Sequence, residues 1–127
     1  MKFLQHMKPA IVICLLCAVH ITGLAGGKEQ AYEGEISDSQ CGYNVHSRDR
    51  SHDVMIKIGS MGKTPAECTR NCIRGHGGQF VFVTSDRKNA YKIEPQNAVA
   101  EFAGQRVHIN GTLTYGTIYV TSIKPLP

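Results

Sequence analysis

The segment 105–114, QRVHINGTLT, constrains the fold more than any other stretch of the chain. Apolar and polar residues alternate through it, and the alternation keeps its phase across a central Asn-Gly pair. Asn-Gly is a common two-residue hairpin turn, but the unbroken phase favours one long strand that bends at Gly111. A strand of this kind is typical of a closed barrel. Four of its residues share the face predicted to be buried, namely Val107, Ile109, Gly111 and Leu113.

Strand patterns occur in four further segments, at 31–39, 79–84, 90–94 and 117–125. The segment 95–104 fits a short helix between the third and fourth strands, and a long segment without β pattern separates the first two. This order predicts a mostly β fold, a five-stranded OB-like Greek-key barrel with a helical insertion between strands 1 and 2 and a short helix between strands 3 and 4. An open β-sandwich with the same strand pairings is the alternative.

One helix of the insertion has clear local signals. Thr64 and Glu67 have the spacing of a capping box, and a proline at the first helical position predicts the helix Pro65–Arg74. Helical periodicity places Cys68 and Cys72 together on one flank. The segment 54–59 of the insertion is predicted to be a short strand or a loop. The inner stripe of the helix is predicted to be Ala66, Thr69 and Ile73.

The N-terminus has the pattern of a secretory signal. Lys2 and Lys8 precede a short apolar run that ends in small residues at Ala25. This pattern predicts a signal peptide, 1–25, that is cleaved after Ala25 and directs the protein to the periplasm or the extracellular space. An uncleaved N-terminal anchor is the alternative, and after cleavage no membrane span remains.

The domain organisation follows from these assignments. Residues 26–30 are a small, polar segment and are predicted to be a flexible leader. Residues 31–127 are then a single OB-like domain, and 41–78 are its insertion.

Composition argues against several classes of function. Loss of Lys2 and Lys8 with the signal leaves 12 basic and 10 acidic residues, a net charge of +2, which does not favour nucleic-acid binding. The sequence contains no nucleophile elbow, paired-carboxylate spacing or phosphate-binding loop. We therefore predict no catalytic residues.

The cysteines of the exported part, Cys41, Cys68 and Cys72, are the main candidates for chemistry. Export permits disulfides, and an odd number leaves at least one thiol free, bound to metal or paired with another chain. A disulfide from Cys41 to Cys68 or Cys72 would close a loop of about 30 residues and contribute about 3 kcal/mol. This interpretation requires no cofactor. A bond between Cys68 and Cys72 is disfavoured because neighbours on a regular helix have parallel Cβ directions.

Metal binding is the alternative. Cys68 and Cys72 lie one helical turn apart, as two ligands on one helix should, and Cys41 would add a third sulfur. The nitrogen of a Cys3His zinc set would come from His46, His52 or His76, of which His76 continues a C-x3-C-x3-H spacing. A thiol-redox protein is the second alternative, although no C-x-x-C motif supports it.

Tyrosines supply the candidate binding surface. Tyr91, Tyr115 and Tyr119 lie in predicted strands and turns near basic residues, where they could stack on a ligand. The partner would be a small molecule, a glycan or an envelope protein.

The run GEISDSQCG…H…ECTRNCIRGHGGQFVFV…AYKI…FAGQRVHINGTL…IYVTSIKP covers nearly all of the exported part. It resembles an uncharacterised family of small exported bacterial domains with a D-S-x-C-G … C-x-x-x-C pattern, in which the cysteine spacing is the most specific feature. His46 lies one residue farther from Cys41 than in that pattern. The resemblance implies an exported OB-like domain and no particular activity. The sequence as a whole predicts a small binding or accessory module of the cell envelope, stabilised by a disulfide.

Overall fold

The computed structural model describes residues 27–127, and its five strands form a closed barrel. Around the barrel the order is β1-β2-β3-β5-β4, and all neighbours are antiparallel except β3 and β5. The prediction of a mostly β fold built on a five-stranded barrel is confirmed. The predicted signal peptide, 1–25, lies outside the described residues. The strands are β1 (Glu29–Asp38), β2 (Phe80–Thr84), β3 (Ala90–Glu94), β4 (Arg106–Thr114) and β5 (Thr117–Pro125).

Helices are few and short. Three of them lie between β1 and β2, in the insertion, which spans 39–79 in the structure, whereas the sequence predicts 41–78. The fourth lies between β3 and β4. Among residues 27–127, no helix has the length and apolar character needed to cross a membrane. The helices are α1 (Ser39–Gly42), α2 (Asp53–Ile58), α3 (Pro65–His76) and α4 (Gln96–Val99), the last followed by a 3-10 turn at Ala100–Phe102.

Strand β4 runs without a break through Asn110 and Gly111, as the sequence predicts. Its register against β5 shifts between Asn110 and Gly111. A Cβ atom at Gly111 would lie 2.5 Å from the carbonyl oxygen of Tyr119, so the close approach of the two strands requires glycine there. The chain then turns at Tyr115 and Gly116, both with positive φ, into β5. The predicted single long strand through Gly111 is confirmed, and the register irregularity against β5 lies at the same glycine.

Strand β1 begins earlier than the sequence indicates. Glu29 and Gln30 pair with Thr112 and Gly111 of β4, so part of the segment predicted as a flexible leader (26–30) is the start of the strand. Backbone pairing to the long β4 orders these polar residues although they bury no side chain. At the other end of β1, Asp38 and its neighbour are fully buried because the insertion covers the outer face of the sheet there.

The structure has two separate hydrophobic cores. The barrel core consists of fully buried residues from all five strands and from α4, namely Ile36, Phe82, Ile93, Val99, Val107, Ile109 and Ile118. The second core lies inside the insertion and consists of Cys41, Met61, Cys68 and Cys72. All three cysteines of the described chain therefore lie in the second core, beside the end of β1.

Candidate metal site

Asp38 begins the site at the junction of β1 and α1. Its Oδ1 accepts hydrogen bonds from the backbone N–H groups of Gln40 (2.9 Å) and Cys41 (3.0 Å), which caps the short helix α1. The cap turns the chain inward, so Cys41 is fully buried three residues later. Asp38 is itself fully buried, and its second oxygen, Oδ2, has no hydrogen-bond partner among the described residues.

Helix α3 provides the other two sulfurs. Thr64 caps it by accepting a hydrogen bond from the N–H of Glu67 (3.2 Å), and Pro65 occupies its first turn, as the sequence predicts. The helix continues beyond the predicted end at Arg74 to His76, because Gly77 adopts the left-handed cap.

The buried face of α3 shares Thr69 with the predicted inner stripe and differs from it at the other two positions. Cys68, Thr69 and Cys72 are fully buried, whereas Ala66 and Ile73 are only partly buried. The hydropathy of Ala66 and Ile73 suggested the wrong face, because α3 packs toward Cys41 and the end of β1. Cys68 and Cys72 therefore point into the insertion core.

Helix α2 positions the candidate nitrogen ligand, His52. The segment predicted as a strand or loop is helical at Asp53–Ile58, and Gly59 ends it in the left-handed conformation. None of the α2 side chains is fully buried, but His52, immediately before the helix, is only 2 % exposed. The helix thus holds the histidine under the surface of the insertion.

Four residues converge in the insertion. Asp38, Cys41, His52 and Cys68 each offer one ligand atom, and these atoms all lie within 4.8 Å of one another. A tetrahedral zinc site with metal–sulfur bonds of about 2.3 Å separates its ligand atoms by about 3 to 4 Å, so small side-chain movements would close the set around an ion. Cys72 packs beside this group without belonging to it.

The His52 ring is held by one nitrogen and open at the other. Nε2 lies 3.2 Å from Oγ of Ser37, 3.4 Å from Oγ1 of Thr69 and 2.8 Å from Oε1 of Glu35. Nδ1 has no hydrogen-bond partner among the described residues and lies 3.7 Å from Oδ2 of Asp38. A polar ring nitrogen and a carboxylate oxygen therefore face each other, buried and unpaired, which costs free energy unless a cation or a shared proton lies between them.

The protonation of the three thiols depends on whether the site holds a cation. Burial and the nearby carboxylate of Asp38 raise the pKa of the Cys72 thiol to about 12, and the same two causes raise the pKa of Cys41 and of Cys68. In the metal-free protein all three thiols are consequently protonated at neutral pH. A bound cation would reverse this effect and favour the thiolates.

We expect all three thiols to react slowly in the folded, metal-free protein. Cys41, Cys68 and Cys72 are fully buried, and only the thiolate reacts with electrophiles, so burial and raised pKa act in the same direction. Alkylation followed by peptide mass spectrometry, with and without denaturant, measures the effect. Rapid native labelling of any of the three would contradict the buried arrangement.

The cysteines are free thiols in the structure. A disulfide from Cys41 to Cys68 or Cys72 is absent, although both partners lie in the same core. Burial of an aspartate and a histidine among the same sulfurs distinguishes this site from an apolar core that a disulfide would merely cross-link.

His46 and His76, the histidines predicted as ligands, do not join the group. His46 is half-buried in the loop after α1, and His76 is exposed at the end of α3, because one more helical turn beyond Cys72 leaves the insertion core. The two rings contact each other, with centroids 5.8 Å apart. His52, the third histidine considered, occupies the position of the nitrogen ligand.

The three candidate tyrosines do not form one surface. Tyr91 pairs with Phe82 and packs against the barrel core, whereas Tyr119 follows the buried Ile118 and faces outward. Tyr115 is fully exposed in the turn between β4 and β5. The alternation of faces along the strands separates residues that appear close in the sequence.

The fold and this group of residues define a barrel domain with a possible buried Asp/Cys/His metal site. No protein-family model, no curated protein and no solved structure matches the chain.

Proposed function

We propose that the chain is a small exported domain of the OB type, a binding or accessory module of the cell envelope, whose insertion folds around a zinc ion. The ligands would be Asp38, Cys41, His52 and Cys68. The strand order β1-β2-β3-β5-β4, the parallel pairing of β3 with β5 and the helix before β4 support the OB classification. The basic and apolar N-terminal segment supports export.

One observation carries the metal proposal. Nδ1 of His52 and Oδ2 of Asp38 are buried 3.7 Å apart with no hydrogen-bond partner among the described residues. The thiols of Cys41 and Cys68 belong to the same group, in which one ligand atom of each of the four residues lies within 4.8 Å of the others. A divalent cation satisfies all four groups at once, whereas an apolar core would leave two of them unpaired.

Donor chemistry and burial favour structural zinc. Thiolate sulfur and imidazole nitrogen together suit zinc better than magnesium or calcium, which prefer oxygen ligands. His52 is 2 % exposed, and the other three residues are fully buried. A catalytic zinc keeps a position open for water or substrate, so a closed site of this kind stabilises the insertion. In an exported protein the ion would also protect thiols that would otherwise oxidise.

Metal analysis of the purified protein tests the proposal. We expect one zinc per chain by elemental analysis, and intense sulfur-to-metal charge-transfer absorption when cobalt replaces it. Cys68→Ser should abolish both signals because it removes a ligand. Cys72→Ser provides the matched control, because Cys72 lies one turn along the same helix and outside the ligand group.

Two results would overturn the proposal. One is a protein that binds no zinc when its thiols are reduced. The other is equal loss of zinc in both serine variants while both remain folded by circular dichroism, which would reject Asp38, Cys41, His52 and Cys68 as the ligand set.

A further inference from the structure

His46 and His76 lie close together, although α2, most of α3 and two connecting segments separate them along the chain. Their rings meet edge to face, with an interplanar angle of 84° and centroids 5.8 Å apart. Zinc held at about 2.1 Å by one nitrogen of each ring would place the centroids about 5 to 6 Å apart. The centroid spacing is that of two imidazoles sharing an ion. Because imidazole lone pairs lie in the ring plane, one ring would rotate from the edge-to-face arrangement to bind it.

Burial distinguishes the two imidazoles. His76 is exposed, whereas His46 is half-buried and lines an open cleft of about 330 Å³ with Ser47 and Met55. Nδ1 of His46 is shut off from solvent and has no hydrogen-bond partner among the described residues. Nδ1 of His46 is thus an available metal-ligand atom that no described residue hydrogen-bonds.

The pair also lies in line with the buried group. Cys68, Cys72 and His76 are spaced four residues apart on α3 and so lie on one flank, about 6 Å per step. Exposure rises along this row, from two fully buried cysteines to an exposed histidine at the helix end. The row therefore leads from solvent to the proposed zinc ligands.

We propose that His46 and His76 form a second metal site, which captures a divalent cation such as Zn²⁺ from solution and supplies it to the buried ligands. The supply of the ion to the buried ligands rests on the proposed zinc function. The binding of an ion by His46 and His76 does not depend on that function. No electrons are transferred. The ion exchanges imidazole and water ligands for those of the buried site, and the thiols of Cys41 and Cys68 release their protons to water as they bind it.

Titration of the full protein with zinc, followed through the imidazole ¹⁵N signals, tests the binding. Once the buried site is filled, a second equivalent should shift the signals of His46 and His76 and leave that of His108 unchanged. His76→Gln should weaken this second binding at least about tenfold while the first equivalent remains. The variant should fold because His76 is exposed. Unchanged signals of His46 and His76 under excess zinc would overturn the second site.

Loading kinetics test the supply role. Metal-free protein should take up its buried zinc at least about fivefold more slowly in His76→Gln and in His46→Gln, and at the normal rate in His108→Ala, a half-buried histidine on the barrel. Normal loading in both glutamine variants would overturn the supply role. If Cys68→Ser binds zinc only at the histidine pair, the second site stands independently. If the wild type binds only there, the buried zinc proposal fails and the second site remains.

Discussion

Removal of the proposed zinc ion is expected to loosen the insertion while the barrel stays folded. The two cores share no residue, since the insertion core consists of Cys41, Met61, Cys68 and Cys72, and the barrel core consists of strand and α4 residues. Without the ion, the insertion retains only a small core in which Oδ2 of Asp38 and Nδ1 of His52 are buried without hydrogen-bond partners among the described residues. A local opening of this segment then costs much less free energy than global unfolding.

The size of the effect follows from linkage. With free zinc held at about 100 times its Kd, binding stabilises the closed insertion by about 2.7 kcal/mol, which is a change of about 100-fold in the opening equilibrium. Amide hydrogen exchange of α2 and α3 should therefore accelerate by about that factor after chelation. Amides of Ile109 and Ile118 in the barrel should change little.

Cys68→Ser provides the control for this experiment, because its exchange rates should not respond to zinc or chelator at the insertion. A uniform loss of protection across the barrel and the insertion would contradict the separation into two units. Unchanged exchange in the insertion of the wild-type protein would mean that no ion stabilises it.

Several features of the fold were predictable because they depend on local sequence. The continuity of β4 follows from the unbroken alternation around Gly111, and the start of α3 follows from Thr64 and Pro65. Both features are determined by a few neighbouring residues, whose steric and capping preferences the tertiary structure preserves. The cysteines were likewise recognised as the centre of any chemistry in this chain.

The site itself was only half predictable. Spacing along α3 favoured His76 as the nitrogen ligand, but helical spacing specifies a face and not the depth at which that face is buried. His52 lies among the sulfurs only because α2 begins at Asp53 and packs its N-terminal end against β1 and α3. An aspartate at the end of a strand, as Asp38 is in the sequence, most often forms a turn or cap hydrogen bond. Its Oδ1 does cap α1, and its Oδ2 faces the proposed metal position. The sequence around a carboxylate indicates its local capping role. It does not indicate a second role that depends on the tertiary structure.

His52→Ala is expected to weaken zinc binding by at least about 100-fold. Loss of residues that merely orient metal ligands costs about 10- to 100-fold in affinity, so loss of a ligand should cost at least the upper value. Competition with a chromophoric chelator measures the affinity. His108→Ala serves as the matched control, because His108 also contacts a glutamate of β1 (Nδ1 to Oε1 of Glu33, 3.5 Å) but lies on the barrel surface.

A buried histidine can also be needed for packing alone. A substitution of Glu35, which contacts His52, distinguishes a packing role of His52 from metal binding. Oε1 of Glu35 lies 2.8 Å from Nε2 of His52, which orients the ring so that Nδ1 faces Asp38. Glu35→Gln keeps the shape of the side chain and should still reduce zinc affinity about 10- to 100-fold. Glu33→Gln removes the same charge two residues earlier on β1 and should leave the affinity unchanged. Equal affinities in the two glutamine variants would mean that His52 does not bind the ion through Nδ1.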